Sequence, residues 1–418
     1  MNRIAQSESN SKHIFTSPAH YLPYLLPLLL LFSRAIADVT VLLIGLYYLL
    51  RSYYLNDWQW AKHTWFKLSI GFWLYLLLVN TPLSIDQLDS LTHSAAYIRW
   101  PLFAAAIAYW VLDNEKSKRN FLISLLFISF LIMADTSLQY VTGQDLFGHV
   151  KPSPSRLTGP YSRPIPGIML LRVIFIGMFA AILLPSLSDA KRRVKFILLT
   201  LCIGLVFMFI TGERMALILF ITGSAVITCG LLLNQTINTK KLIFSMLTIA
   251  SLFWGLFMIA PETAERSVFS IANKLNSFTA SDYGVVFRAA FIAWQDNFIF
   301  GSGFHTYQTF CEQLGVLTVL GKSWGLQCSH PHNLYLQIAA ETGLVGLILF
   351  SISIVSIYYH AIANLIKAHC WLVASLSFTV LSVCFWPLIG GISILNNGVA
   401  ALVWLGVGWV LSIAKEPT

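Results

Sequence analysis

Long apolar runs separated by short polar breaks make up most of the chain. The runs are Tyr21–Phe32, Ile36–Leu50, Leu68–Pro82, His93–Leu112, Phe121–Tyr140, Ile165–Leu187, Phe196–Thr211, Met215–Leu233, Leu242–Ala260, Leu334–Tyr359, Trp371–Leu388 and Gly398–Ile413. Each is long enough, or nearly so, to cross a bilayer as a helix, which takes about 20 residues. The pattern predicts an all-α polytopic membrane protein with about 12 transmembrane helices in one integral membrane domain. Nine of them fall in residues 1–260, a long outer loop spans residues 261–333, and three follow in residues 334–418. Inside that loop Val268, Ile271, Leu275 and Phe278 recur at helical spacing, as do Phe287, Phe291 and Trp294. Both stretches predict amphipathic helices lying along the membrane face.

Composition strengthens this reading: 57% of the 418 residues are hydrophobic and 11% charged, which leaves no chain for a soluble domain. The net charge of +9 does not point to nucleic acid, because the basic residues are scattered through short loops where they orient a membrane protein. The Ser-rich start is followed by an apolar run without a small-residue cleavage site, so no removed signal peptide is expected. Lys191-Arg-Arg-Val-Lys195, Glu115-Lys-Ser-Lys-Arg119 and the group Arg51, Lys62 and Lys67 mark cytoplasmic loops, which places both termini inside. Against that topology Arg34, Lys151, Arg156, Arg163, Arg214, Arg266, Lys274, Arg288 and Lys322 fall on the outer side, while Arg99 and Arg172 fall within helices. Cations gathered on the disfavoured side predict that an anion binds there.

The candidate chemistry lies in the same outer segments. His330, His332, Asn333 and Tyr335 precede the apolar run from Leu334, and a histidine near neutral pH can take a proton from a hydroxyl and return it. A plainer role for these residues is to cap the next helix or sit among lipid headgroups. The planar fork of arginine matches phosphate oxygens bidentately, so several outer arginines suit a diphosphate. Arg214 sits between an outward and an inward helix beside Glu213, Arg288 shares a predicted amphipathic helix with Trp294, and Arg156 and Arg163 flank a Pro/Gly loop. Their plainer readings are an ion pair with Glu213, headgroup contact and solvated charge, in that order. The chain has no Asp-x-Asp pair, no metal-type His/Cys/carboxylate spacing and no glycine-rich phosphate loop, so neither a metal nor a nucleotide cofactor is expected. Cys202, Cys229, Cys370 and Cys384 lie in or beside apolar runs, whereas Cys311 and Cys328 share the long outer loop and could close a disulfide in an oxidising compartment.

The order of short motifs suggests a family. His332-Asn-Leu-Tyr-Leu336 with Glu341, Gly343 and Gly346, then Thr211-Gly-Glu-Arg214, Phe287-Arg288 leading through Trp294 to Gly301-Ser-Gly303, and Arg156-Leu-Thr-Gly-Pro160 together resemble the bacterial O-antigen ligase/polymerase superfamily. The likeness covers roughly the second half of the chain. It implies a GT-C-type glycosyltransferase fold in the bacterial inner membrane. It also implies transfer of O-antigen glycan from undecaprenyl diphosphate to lipid A-core on the periplasmic face, which completes lipopolysaccharide without a cofactor. Carried over by position, His332 would be the base, and Arg214 and Arg288 would hold the donor diphosphate with help from Arg156. Asn333, His330, Arg163 and Tyr335 would support them. Glu213 stands where relatives usually carry a small residue. The single Arg156-x10-Gly167 spacing favours ligase over O-antigen polymerase, where two such pairs are expected. A transporter or flippase of lipid-linked sugars is the reading from another class, but the chain shows no internal repeat and few membrane carboxylates.

Overall fold

The computed structural model describes residues 22–184, 188–237, 239–269, 278–313, 328, 330–388 and 393–413, and among these it is helical without a β-strand. In chain order the helices are α1 (Leu22–Phe32), α2 (Arg34–Leu55), α3 (Thr64–Tyr75), α4 (Gln87–Tyr97), α5 (Arg99–Ala106), α6 (Glu115–Thr142), α7 (Pro166–Ile182) and α8 (Ala190–Ile210). They continue with α9 (Arg214–Leu233), α10 (Thr239–Ile259), α11 (Asp282–Asp296), α12 (Tyr307–Gln313), α13 (Leu334–Lys367), α14 (Trp371–Phe385) and α15 (Asn397–Ile413), with a single helical turn at Pro261–Ala264 between α10 and α11. Among the described residues five helices are long and apolar enough to cross a membrane: Ala35–Leu55 of α2, then α6, α8, α9 and α13. Shorter apolar helices include α3 with its extension to Asn80, α7, α14 and α15.

Two helices form the centre. Every residue of α7 and residues 398–413 of α15 are buried, and apart from Arg172 and Ser412 these stretches are apolar on every face, as helices enclosed by others are. Around them α2 leaves Ile36, Val39, Leu42, Leu46 and Leu50 exposed, and α6 leaves Ile123, Leu126, Phe127 and Phe130 exposed. Water would not tolerate such continuous apolar faces, whereas the hydrocarbon of a bilayer would cover them.

The expected run His93–Leu112 is not one helix. It divides between α4 and α5 at Ile98, because Pro101 has no N–H to donate to the carbonyl one turn back, at Tyr97. Arg99, expected within a membrane helix, opens α5 with a partner: it lies 3.1 Å from Asp38 of α2 and donates to Asn397 Oδ1 at 2.9 Å. Asn397 in turn donates to Asp38 at 3.1 Å, so one polar triad joins α2, α5 and α15.

The loop between α11 and α12 threads into a break in α13. At Gly343 the backbone leaves helical geometry (φ +67°, ψ −171°), which suits a residue without a side chain. A Cβ there would lie 2.1 Å from Ile299 O. The carbonyls and amides freed by the break find partners in the inserted loop: Ser302 N donates to Ala340 O, Gly303 N to Glu341 O and Leu344 N to Phe298 O, at 2.9–3.0 Å. Asn80 closes the junction by donating to Phe300 O (2.8 Å) and Glu341 O (3.0 Å) and accepting from Phe304 N (2.8 Å). Replacing Asn80 by leucine strips buried groups of their partner, at about 1–3 kcal/mol each. The expected result is a loss of about 3 kcal/mol, read as a lower thermal midpoint of the detergent-solubilised protein; an unchanged midpoint would refute the junction's role.

Of the two expected amphipathic helices, the first, through Ile271 and Leu275, lies largely outside the described residues. The second is α11. Its buried face is Val285, Val286, Ala289, Ala290 and Ala293, turned toward α13, while Phe291 stays 45% exposed. Small residues let two helix backbones approach closely, so the alanines rather than the large rings face the neighbour.

Candidate functional site

Two connecting segments dock against each other to form the cationic part of the site. Gln139, buried in α6, accepts from Thr158 N (2.9 Å) and Gly159 N (3.0 Å), which fixes the proline-rich loop after α6. Leu157 N then donates to Thr211 O at 3.2 Å, joining this loop to the turn between α8 and α9. Gly212 makes the contact close: at φ +68°, a Cβ would lie 1.9 Å from Ser155 O. Arg156 on one segment and Arg214 on the other are thereby brought together.

Arg266, which sequence reasoning placed on the outer side without a role, completes the group. Arg214 Nε donates to Arg266 O at 2.7 Å, and Arg266 Nε donates to Gly212 O at 3.2 Å. Burial, together with the charges of Arg156 and Arg214, lowers the Arg266 pKa. An open cleft of about 610 Å³ runs along these residues, lined by Ser155, Arg214, Pro261, Glu262, Glu265 and Arg266. Arg156 Nε is buried without a hydrogen-bond partner.

Glu213, at a position where the family the chain resembles usually carries a small residue, has a structural role. Its carboxylate accepts from Gly167 N (2.5 Å) and Ile168 N (3.3 Å), capping the first turn of α7, where exposed N–H groups favour an anion. Burial pushes this carboxyl up to about 7, opposed by the two amides and by the charges of Arg156 and Arg172. Arg172, buried in α7 and bonded to Ile168 O at 3.4 Å, lies behind this cap.

The imidazole part sits at the entrance to α13. Asn333 caps that helix, with Oδ1 accepting from Leu336 N at 3.1 Å, so it acts on His332 through the backbone rather than by touching the ring. The residue before the cap, His332, has φ +52°, a left-handed conformation uncommon for a residue with a side chain and frequent at functional positions. Its ring meets His330 at 4.6 Å and Tyr283 of α11 at 5.6 Å between centroids. His332 Nδ1 is buried without a hydrogen-bond partner, while the Gln337 side chain lies beside the His330 ring. Burial lowers both histidines, His330 to about 3, where His332 and then Arg163 add to the effect and a hydrogen bond with Gln337 opposes it.

Tyr283 connects the parts, because it contacts His332 and also acts electrostatically on Arg266. Arg163 is exposed but near enough to influence His330. Tyr335 points away from this chemistry, its hydroxyl donating to Phe385 O at 3.2 Å as a strut between α13 and α14. Arg288 lies on α11 five residues after Tyr283, about 140° around the helix from it, and is exposed. The structure does not bring it into the Arg156–Arg214–Arg266 group. Cys311 and Cys328 are joined in a disulfide, packed with Tyr307 and Phe310 against Ala289, Ala290, Ala293 and Ala340. The bond ties the far end of the loop to the ground on which Tyr283 and His332 stand. Arg266 and Tyr283 were missed as site residues; for Arg266, an outer-side cation in the sequence was a signal, whereas nothing local distinguished Tyr283.

No curated protein matches the chain. Residues 196–351, from α8 into α13, match the family model described as O-antigen ligase, and this match, which spans Arg214, Arg266, Tyr283 and His332, supports the chain's place in the O-antigen ligase/polymerase superfamily.

Proposed function

We propose that the protein is an O-antigen ligase of the inner membrane. In this reading it crosses the bilayer with about 12 helices in a GT-C-type arrangement, with both termini cytoplasmic and the arginine–histidine site on the periplasmic side. The donor is a glycan on undecaprenyl diphosphate, and the acceptor is a hydroxyl of lipid A-core. The observation that carries the proposal is the convergence of Arg156, Arg214 and Arg266 beside one cleft, with Tyr283 leading from Arg266 to His332.

His332, kept neutral by burial, takes the proton of the acceptor hydroxyl. The hydroxyl oxygen attacks the anomeric carbon, the bond from that carbon to the diphosphate oxygen breaks, and undecaprenyl diphosphate leaves with the electron pair. Arg214, Arg266 and Arg156 stabilise the charge that develops on it. This single displacement inverts the anomeric centre; retained configuration in the product would refute it. Arg288, exposed on α11, is assigned to the donor by resemblance alone and joins the site only if α11 moves when lipid binds.

The test is transfer by purified protein, without nucleotide, from a lipid-diphosphate glycan to lipid A-core or to a second donor molecule. The expected product is glycan on lipid A-core. Arg266→Ala is expected to lower kcat/KM by about 10–100-fold, as loss of a charge-assisted hydrogen bond to the leaving group does, with KM for lipid A-core unchanged. Elongated lipid-linked glycan without core product would make the protein a polymerase, and intact lipid binding with no transfer would favour a transporter.

A further inference from the structure

A second cluster lies outside every residue named for transfer. Asp89 and His93 are one turn apart on α4, which puts both on one face. His305, from the loop threaded into the α13 break, completes it. The Asp89 carboxylate reaches both rings, with Oδ1 3.3 Å from His93 Nδ1 and Oδ2 3.2 Å from His305 Nδ1. The two imidazoles stack at 3.4 Å between centroids, with their planes 9° apart.

We propose that Asp89, His93 and His305 form a binding site for a divalent transition-metal ion of the zinc class, clamping the inserted loop to α4. Two imidazoles and one carboxylate are donors suited to such an ion, which commonly takes three protein ligands and leaves a position for water. One ligand atom from each residue lies within 4.8 Å of the others. A tetrahedral ion with ligands near 2.0–2.2 Å needs separations of roughly 3.3 Å, so the rings fan apart by a short side-chain rotation. Room for that exists, because the three side chains are 36–48% exposed and water can reach them.

The backbone around the cluster is already held in place. His305 has φ +72° and its N–H donates to Glu341 Oε2 at 3.0 Å, while Ile85 N donates to Ser302 O at 3.0 Å just before α4. Binding therefore needs little ordering of the chain, and the ion joins two segments that meet only in the folded state. His93 Nδ1 also lies 2.9 Å from the backbone carbonyl of Asp89, and an ion bound at Nδ1 displaces the proton that nitrogen donates there. The ion's role is structural, and no step of glycan transfer depends on it.

The test uses full-length, tag-free, chelator-treated protein in detergent, titrated with Zn²⁺ against a chromophoric competitor, with Co²⁺ absorption as a second readout. The expected result is one ion per chain, Co²⁺ bands of a low-coordinate site, and a higher thermal midpoint with Zn²⁺. His93→Gln and His305→Gln should each weaken binding at least about tenfold, the scale on which metal sites respond to loss of a supporting group, and abolish the Zn²⁺-dependent rise. His149→Gln, altering a separate histidine that pairs with Asp145 at 2.7 Å, should leave binding intact. Should His305→Gln fail to fold, His93→Gln and the wild-type Co²⁺ spectrum decide the question. Absence of binding, unchanged affinity in both cluster variants, or equal loss in His149→Gln would overturn the proposal.

Discussion

His332→Ala is expected to reduce glycan transfer by about 10²–10⁴-fold, the usual contribution of a positioned general base, while the bound amount of lipid-linked donor stays the same. Among the described residues the ring's Nδ1 is buried without a hydrogen-bond partner, and the helix that follows is capped by Asn333 rather than by the ring. Removing the ring therefore leaves the entrance to α13 intact. The pH profile sharpens the expectation. A base works in its neutral form, and burial lowers the His332 pKa from the ordinary histidine value near 6.5. The wild-type rate should thus stay near its plateau as pH falls through about 6.5 and decline only at more acid pH. In His332→Ala that acid limb should vanish. A residual rate within a few-fold of wild type, or an acid limb centred at or above the ordinary histidine pKa, would remove His332 from the role of base.

Gly212→Ala should be nearly as damaging, although it touches no substrate in the proposed scheme. The residue has φ +68°, where a Cβ costs about 1–2 kcal/mol, and that Cβ would lie 1.9 Å from the backbone oxygen of Ser155. A backbone oxygen cannot rotate away as a side chain can, so the two segments must separate. Arg156 then moves away from Arg214, and the bond from Arg266 Nε to Gly212 O is disturbed. The expected outcome is a loss of at least about tenfold in kcat/KM for the donor, as misplacement of catalytic groups by about 1 Å can cost more, with a lower thermal midpoint. Gly71→Ala is the control: nothing lies within 4 Å of its would-be Cβ on α3. Equal, unimpaired kinetics in both variants would mean that docking of the two segments does not position the cations.

Much of the helical plan is local and was legible along the chain. An apolar run of membrane length forms a helix wherever it finds itself, because backbone N–H and C=O groups in hydrocarbon must pair within the segment. That is why the runs around Phe121–Tyr140, Met215–Leu233 and Trp371–Leu388 reappear as α6, α9 and α14 with ends shifted by a few residues. Pro101 and Gly343 were visible as letters, but reading the first as a helix divider required its effect on Tyr97, and reading the second required knowing that residues 298–303 would pass through the break.

The sequence by itself determined the helical, membrane-type chain, the arginines in its polar connecting segments and the histidine pair before α13, since each depends on residue type and near-neighbour spacing. Only the tertiary structure decided which of them meet. Arg266 joins Arg214 across 52 residues, Glu213 caps α7 across 46, and His305 reaches Asp89 across 216. It also turned α11 onto its alanine face and left Arg288 exposed. Such contacts arise from packing between helices far apart in sequence, and no local period or propensity encodes which distant surface a side chain will face.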